Sequence, residues 1–431
     1  MFNKNWSNYK LKELCLISSS KRIYQREYRK EGIPFYRSKE IILKHNDKRI
    51  TDPLYISKKR YEEIKNKFGV PKIGDILLTS VGTLGVPYIV KKDDHFYFKD
   101  GNLTWFKNFS EKIYYLYLYY WLLSNNAQGQ INSIKIGSSQ SALTIGSLLN
   151  LNINIPEIRA QRKIASILSA YDELIENNNR RIEILEEIAE AVYREWFVHF
   201  RFPGHEKIKM VDSELGEIPE EWGILELAEV LKSIESGSRP KGGIDPEERG
   251  VPSIGAENVL GLGRYDFGKE KYVSEDFYQS MRKGKIQSGD VLLYKDGAKI
   301  GRKSMFRNGF PHKVCCINEH VFILRTNSRC SQNYLFFYLN RLDITEKIIN
   351  LNSNAAQPGI NQVGVKSLLI LLPFGSLIRL FDENVGSIID LLFNLAKRNQ
   401  ILRKKRGILL PKLISGKIDV SDLDIKIEDI K

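Results

Sequence analysis

The feature that most constrains this fold is that the chain is written twice. Trp6 answers to Trp222, GIPFYRSKEI from Gly32 to GVPSIGAENV from Gly250, and GDILLTSVG from Gly74 to GDVLLYKDG from Gly289, a period near 217 residues. LLNLNINIP ending at Pro156 likewise matches SLLILLPF around Pro373, and a long helical pattern follows each. Matches kept in one register point to a duplicated unit, and a repeat sets the architecture before local propensity is weighed. Each unit is a domain plus a helix.

Within each unit, β-branched and aromatic runs alternate with Gly and Ser turns. These runs are ILLTSV, YIVKK, HFYFK and NLTWF in the first unit, VLLYK and HVFILR in the second, so each domain reads as mixed α/β. YYLYLYYWLL from Tyr114 and YLFFYL from Tyr334 are apolar on nearly every side and read as buried helices. A base-stacking aromatic platform is the sharper alternative for them. Gly261, Gly263 and Gly268 lack GxGxxG spacing and read as a turn, and Asp75 and Asp290, at matching points ahead of strands, read as turn carboxylates.

Stepping alternately by four and three from Ile164 lands on Leu168, Tyr171, Ile175, Asn178, Ile182, Leu185, Ala189, Val192 and Trp196. The same step from Phe381 lands on Val385, Ile388, Leu392, Leu395, Asn399, Leu402, Arg406 and Leu409. Only Asn178, Asn399 and Arg406 break the apolar pattern. A 3.5-residue period is the signature of helices that share a seam, so the two should pair as an antiparallel coiled coil from about 156 to 199 and 375 to 410. Roughly 40 residues at 1.5 Å each would make a spacer of about 60 Å. The asparagines either set register or merely tolerate a wet seam. The expected fold is α+β: two similar mixed α/β domains separated by a long two-helix coiled coil, with a pseudo-twofold internal repeat. Its parts would be a first domain (1–155), a central helix and linker (156–210), a second domain (211–373), a C-terminal helix (374–416) and an acidic tail (417–431).

Charge and missing motifs narrow the function. The net charge of +14 is concentrated at the start: residues 1–155 carry 25 Lys and Arg against 13 Asp and Glu, whereas residues 201–373 carry 24 against 22. A positive field of this kind suits a polyanion, commonly nucleic acid. There is no GxxxxGK[ST] loop, no Asn-Pro-Pro-aromatic tetrapeptide, no HExxH and no glycine-rich strand end for S-adenosylmethionine, so no cofactor or metal is expected in this chain. Cys15, Cys315, Cys316 and Cys330 form no CxxC pair, and the adjacent two should pack in a strand. The opening MFNKNWSNYK has no apolar signal region, so a cytoplasmic location is expected.

Four strings carry a resemblance. LLPKLISGKI from Leu409 to Ile418 resembles the C-terminal signature of type I restriction-modification specificity subunits. ILEEIAEAVYREWFVHFRFPG from Ile184 to Gly204, followed by SELGEIPEEW from Ser213 to Trp222, resembles that family's central region, and QRKIASIL ending at Leu168 its approach to the helix. The second helix departs from the first: PFGSLIRLFDENV stands where the first has the Gln-Arg-Lys-Ile run. The resemblance implies a non-catalytic subunit with two target recognition domains, each reading half of a bipartite, asymmetric double-stranded DNA site. Its conserved regions would dock two methyltransferase subunits, which hold S-adenosylmethionine and methylate adenine. Restriction subunits using ATP and Mg would join through the complex, in defence against foreign DNA. A DNA-processing enzyme with an unseen active site and a stand-alone DNA-binding regulator remain the competing readings.

Groove readout needs polar groups on exposed loops, with Lys and Arg on phosphates. The candidates are Lys21, Arg22, Arg26, Arg37, Ser80, Thr83, Ser139 and Gln140 in the first unit. Those in the second are Arg239, Lys241, Lys295, Lys299, Arg302, Asn354, Gln357 and Gln362.

Overall fold

The computed structural model describes residues 6–46, 48, 50–137, 141–243, 249–352 and 359–425. It divides into two compact units, one of residues 1–176 and 402–431 and the other of residues 177–401. Each long helix therefore contributes to both units, whereas the linear division placed each helix apart from the domains.

In the first unit, Leu16–Ser18, Leu103–Lys107, Ile76–Thr79 and Pro87–Ile89 form an antiparallel sheet in that spatial order. Every residue of the central strand Ile76–Thr79 is buried, which explains its unbroken apolar run. A second sheet runs Tyr28–Arg29, Leu54–Ile56, Ile33–Tyr36, Tyr97–Phe98, the last pair parallel. Ser7–Lys10 pairs with Asn152–Ile155, bringing the two ends of the domain together.

The second unit repeats this order. Leu231–Ser236, Val321–Thr326, Val291–Tyr294 and Lys303–Met305 follow one another as the corresponding strands do, and Gly261–Leu262 adds a parallel fifth strand. Tyr272–Val273, Val251–Ile254 and Cys316–Ile317 form the smaller sheet, and Gly223–Glu226 pairs with Leu369–Leu372. The fifth strand corrects the reading of Gly261 as part of a turn. Gly263, just beyond it, sits at φ +64°, where a Cβ would come within 2.7 Å of Leu392, so helix packing demands a glycine there.

The aromatic tracts are the buried helices Tyr115–Leu122 and Gln332–Asn340. Tyr117, Tyr120, Tyr334 and Phe336 are among the largest fully buried side chains, which leaves no stacking platform there. Cys316 lies in a strand and Cys315 is buried just before it.

The long helices run Ile158–Phe197 and Gly375–Ile414, the second passing Pro411 in its last turn rather than stopping near Leu410. Every position of the two heptad registers is buried or half-buried. In the second unit Asn178 donates from Nδ2 to Asn399 Oδ1 at 2.8 Å, and the Tyr193 and Phe381 rings lie 6.0 Å apart. In the first unit Asp172 pairs with Arg406, so the charged break in the heptad has its counter-ion. Within the second unit, then, contacts move down one helix as they move up the other. The buried face is wider than a two-position seam: Tyr193, Phe197, Ile389, Phe393 and Ala396 also join the core that holds the Gln332–Asn340 helix.

Candidate nucleic-acid interface

The same loops meet at one end of the main sheet in each unit. In the first, residues 80–86 leave the strand Ile76–Thr79 and run beside the segment ahead of the short helix Ile145–Leu149. Val81 bridges Ala142, and Leu143 N donates to Ser80 O at 2.9 Å. Ser80 N donates to Asn102 O at 2.8 Å, which fastens the turn before Leu103–Lys107 to the same cluster. In the second, Asp296 bridges Gly359, Ile360 N donates to Lys295 O at 3.0 Å, and Lys295 N donates to His320 O at 3.0 Å. Thr144 and Asn361 cap the helices that follow, each accepting a backbone N–H in the first turn. A backbone zipped at equivalent points can hold different side chains in the same place.

Asp75 and Asp290 anchor the strands behind these loops. Each closes a turn by accepting a backbone N–H, from Lys72 at 2.8 Å and from Gln287 at 2.7 Å. Asp75 also accepts from Trp105 Nε1, and burial pushes its carboxyl above the usual range. Asp290 instead holds Arg325 at 2.6 Å, and Arg325 reaches Glu235 at 2.6 Å.

The candidates divide by what surrounds them. Lys21, Arg22, Arg26 and Thr83 are exposed in the first unit, as are Arg239, Lys241 and Arg302 in the second, while Lys299 is half-buried. Lys21 lies over the Phe68 ring at 5.0 Å and Arg26 over Tyr24 at 5.5 Å. Ser80 is turned inward: its hydroxyl meets Thr104 Oγ1 at 2.6 Å and Leu78 O, making it a strut of the loop rather than a group facing solvent. Arg37 is half-buried and forks onto Glu40 at 2.7 Å. Burial pushes the Glu40 carboxyl up, but the hydrogen bonds and charge of Arg37 outweigh it and hold Glu40 below its usual range. Lys295 is half-buried against Asp296 at 3.2 Å, and Gln362 lies 3.5 Å from Ser236 Oγ. Ser139, Gln140, Asn354 and Gln357 lie outside the described residues.

Two acids absent from the sequence candidates belong to the cluster. Asp100 accepts from Arg22 Nε at 2.8 Å, and Glu319 lies 3.1 Å from Arg239 Nε. The signal was present in the repeat, because Arg22 aligns with Arg239 in it. Arg22, Tyr24, Tyr28, Arg37, Lys99 and Asp100 further line an open cavity of about 500 Å³, basic and aromatic together. Among the described residues no group of three or more His, Cys, Asp or Glu could hold a metal, and no helix is long and apolar enough to cross a membrane. Burial pushes all four cysteine thiols up, Cys15, Cys315 and Cys330 to about 12 and Cys316 to about 11.

Residues 3–187 match the family model of the type I restriction modification DNA specificity domain. Over those residues the chain is similar to that family. It is similar over 97% of its length to the type I restriction enzyme MjaIX specificity subunit of Methanocaldococcus jannaschii, at 26% identity and over 95% of that protein. The HindI specificity subunit of Haemophilus influenzae is 24% identical over 70% of this chain and 77% of its own. In fold it resembles the crystal structure of a type I restriction-modification system S subunit from M. genitalium, with a TM-score of 0.58 and 17% identity. That likeness covers 96% of this chain and 97% of the other. The matched model is described as a DNA specificity domain, which makes the exposed loop cluster the site to consider.

Proposed function

We propose that this chain is the sequence-reading subunit of a type I restriction-modification complex. Each unit reads one half of a bipartite, asymmetric DNA site through its loop cluster. The observation that carries this reading is the cluster built twice at equivalent points of one strand order, with exposed Lys and Arg around it. The long helices form an antiparallel coiled coil that sets the distance between half-sites and docks two methyltransferase subunits. S-adenosylmethionine, ATP and Mg are bound by those partners and by the restriction subunits. The domain limits are those expected from the repeat, with the helices shared between them.

The spacing role has a direct test. Four residues inserted between Glu176 and Asn177, matched by four between Ile401 and Leu402, lengthen the rod by about 6 Å, close to two base-pair steps. Methylome sequencing of a host carrying the subunit with its methyltransferase should show unchanged half-site bases and a longer spacer. Altered half-sites with the original spacer refute the ruler. Turnover of labelled S-adenosylmethionine on DNA by this chain alone refutes the non-catalytic role.

A further inference from the structure

Arg22 and Arg239 occupy the same place in the two units, and each is held by an acid from the same neighbouring turn. Arg22 follows the first strand of the main sheet, Leu16–Ser18, and Asp100 precedes Leu103–Lys107. Arg239 follows Leu231–Ser236, and Glu319 precedes Val321–Thr326. In both pairs the contact is through Nε, at 2.8 and 3.1 Å, and the arginine side chains remain 67% and 63% exposed. The Nη donors of both meet no partner among the described residues. An exposed ion pair adds little to stability, so its presence at equivalent positions of divergent domains calls for another reason.

Resting on the reading of each unit as a DNA-recognition domain, we propose that Arg22 and Arg239 each read a guanine in the major groove, with Asp100 and Glu319 as their positioning residues. The chemistry decides between base and phosphate. A carboxylate on Nε offsets the guanidinium charge and would repel an approaching phosphate, so the pair is poorly suited to the backbone. It leaves the two Nη groups as a forward-facing fork of neutral net field. Guanine presents two uncharged acceptors, O6 and N7, at the spacing of that fork. A fork held by a fixed acid also gives up less rotamer freedom when it binds. Lys21 and Arg26, exposed and without a carboxylate partner among the described residues, remain for phosphates.

The test uses the complex of this chain with its methyltransferase, after methylome sequencing has defined the site of the unaltered complex. Binding is measured on that site, on single-base variants of it and on a random-sequence duplex, across a salt series. Arg22→Ala should lose discrimination at one G·C pair of one half-site by about 5- to 150-fold. The salt slope on random duplex should hardly change. Arg239→Ala should do the same in the other half-site. Arg22→Lys, which keeps the charge but not the fork, should lose the same discrimination. Asp100→Asn should weaken discrimination at that position while tightening binding to random duplex. The proposal is overturned if Arg22→Ala weakens site and random duplex alike and flattens the slope by about 0.9, the mark of a phosphate contact. It is equally overturned if discrimination survives both Arg22→Ala and Arg22→Lys. An unaltered complex that discriminates no sequence overturns the recognition reading as well, and is told apart because it shows before any substitution.

Discussion

Asn178 and Asn399 face each other inside the second unit, 9% and 1% exposed, with Asn178 donating to Asn399 and Asn399 donating in turn to Asn179. Replacing either by Leu removes the Asn178–Asn399 hydrogen bond and leaves a buried amide group that it satisfied unpaired, which costs about 1–3 kcal/mol. Replacing both removes the polar groups together and buries two Leu side chains, each contributing about 1.5–3 kcal/mol. The double variant should therefore be at least as stable as the unaltered chain, although both single variants are weaker. The coupling between the sites should reach about 1 kcal/mol or more, because the residues touch. In a domain of roughly 150–250 residues, 1 kcal/mol moves the melting temperature by about 2–4 °C. Each single variant should thus melt about 2–12 °C lower, and Asn178→Leu with Asn399→Leu should recover that loss. A thermal-melting double-mutant cycle on the full chain measures it. Strictly additive losses would show that the amides tolerate the seam independently and do not specify register. If they do specify it, the stable double variant should also assemble less cleanly with the methyltransferase, since Leu at both positions permits slipped pairings.

Ile182→Asp or Leu392→Asp places an unpaired charge in the core of the second unit and should abolish assembly with the methyltransferase, read by size-exclusion chromatography. Arg325→Met leaves Asp290 and Glu235 without their counter-ion and should destabilise the chain by about 3–5 kcal/mol, measured by urea denaturation. Burial lowers the Lys303 amine to about 8, and its ordinary value is 10.5. Between about pH 8 and 10.5 the unfolded chain holds a proton that the folded one lacks, so stability should rise with pH across that window. Lys303→Met should remove the rise and stabilise the neutral protein by at most about 3 kcal/mol, visible in melting curves against pH. Lys21→Ala and Arg26→Ala together should flatten the salt slope by about 0.9 for each phosphate no longer neutralised, and Lys241→Ala with Arg302→Ala by less in sequence-independent binding.

Periodic features of the chain were legible before its structure. The repeat gave a strand order that recurs, and the stepping from Ile164 and Phe381 gave faces that are buried along their length. The aromatic tracts were also legible, because an apolar side chain on every face leaves only the interior. The sequence could not show which polar loop residues turn inward. Ser80 lies in a hydroxyl-rich stretch, yet its backbone is tied to Asn102 and Leu143, which leaves its side chain no route to solvent. Asp100 and Glu319 escaped notice for a different reason: each meets its arginine across about eighty residues, so only the alignment of Arg22 with Arg239 in the repeat, and no local pattern, pointed to them. The proposed domain limits follow chain order, whereas the compact units follow spatial packing, which assigns each helix half to a unit.

The scaffold keeps its strand order while the loops it carries differ in chemistry, and this bears on the proposed reading of an asymmetric site. Residues 80–86 are SVGTLGV, with no charge, whereas the matching stretch from Lys295 is KDGAKIG. In the second cluster Asp296 lies 2.7 Å from His320, and Glu319 and Asp296 sit among Arg239 and Lys295. Acids there offset local positive charge, in keeping with the near-neutral balance of residues 201–373 against the strongly basic residues 1–155. Carboxylates repel phosphates but accept from cytosine N4, so the second domain is equipped to gain more of its binding from base edges and less from the backbone. A domain with few phosphate contacts binds weakly by itself. Under the proposed function, tethering to a domain with many phosphate contacts presents it to DNA at high effective concentration, so the basic domain would hold the duplex while the neutral one discriminates.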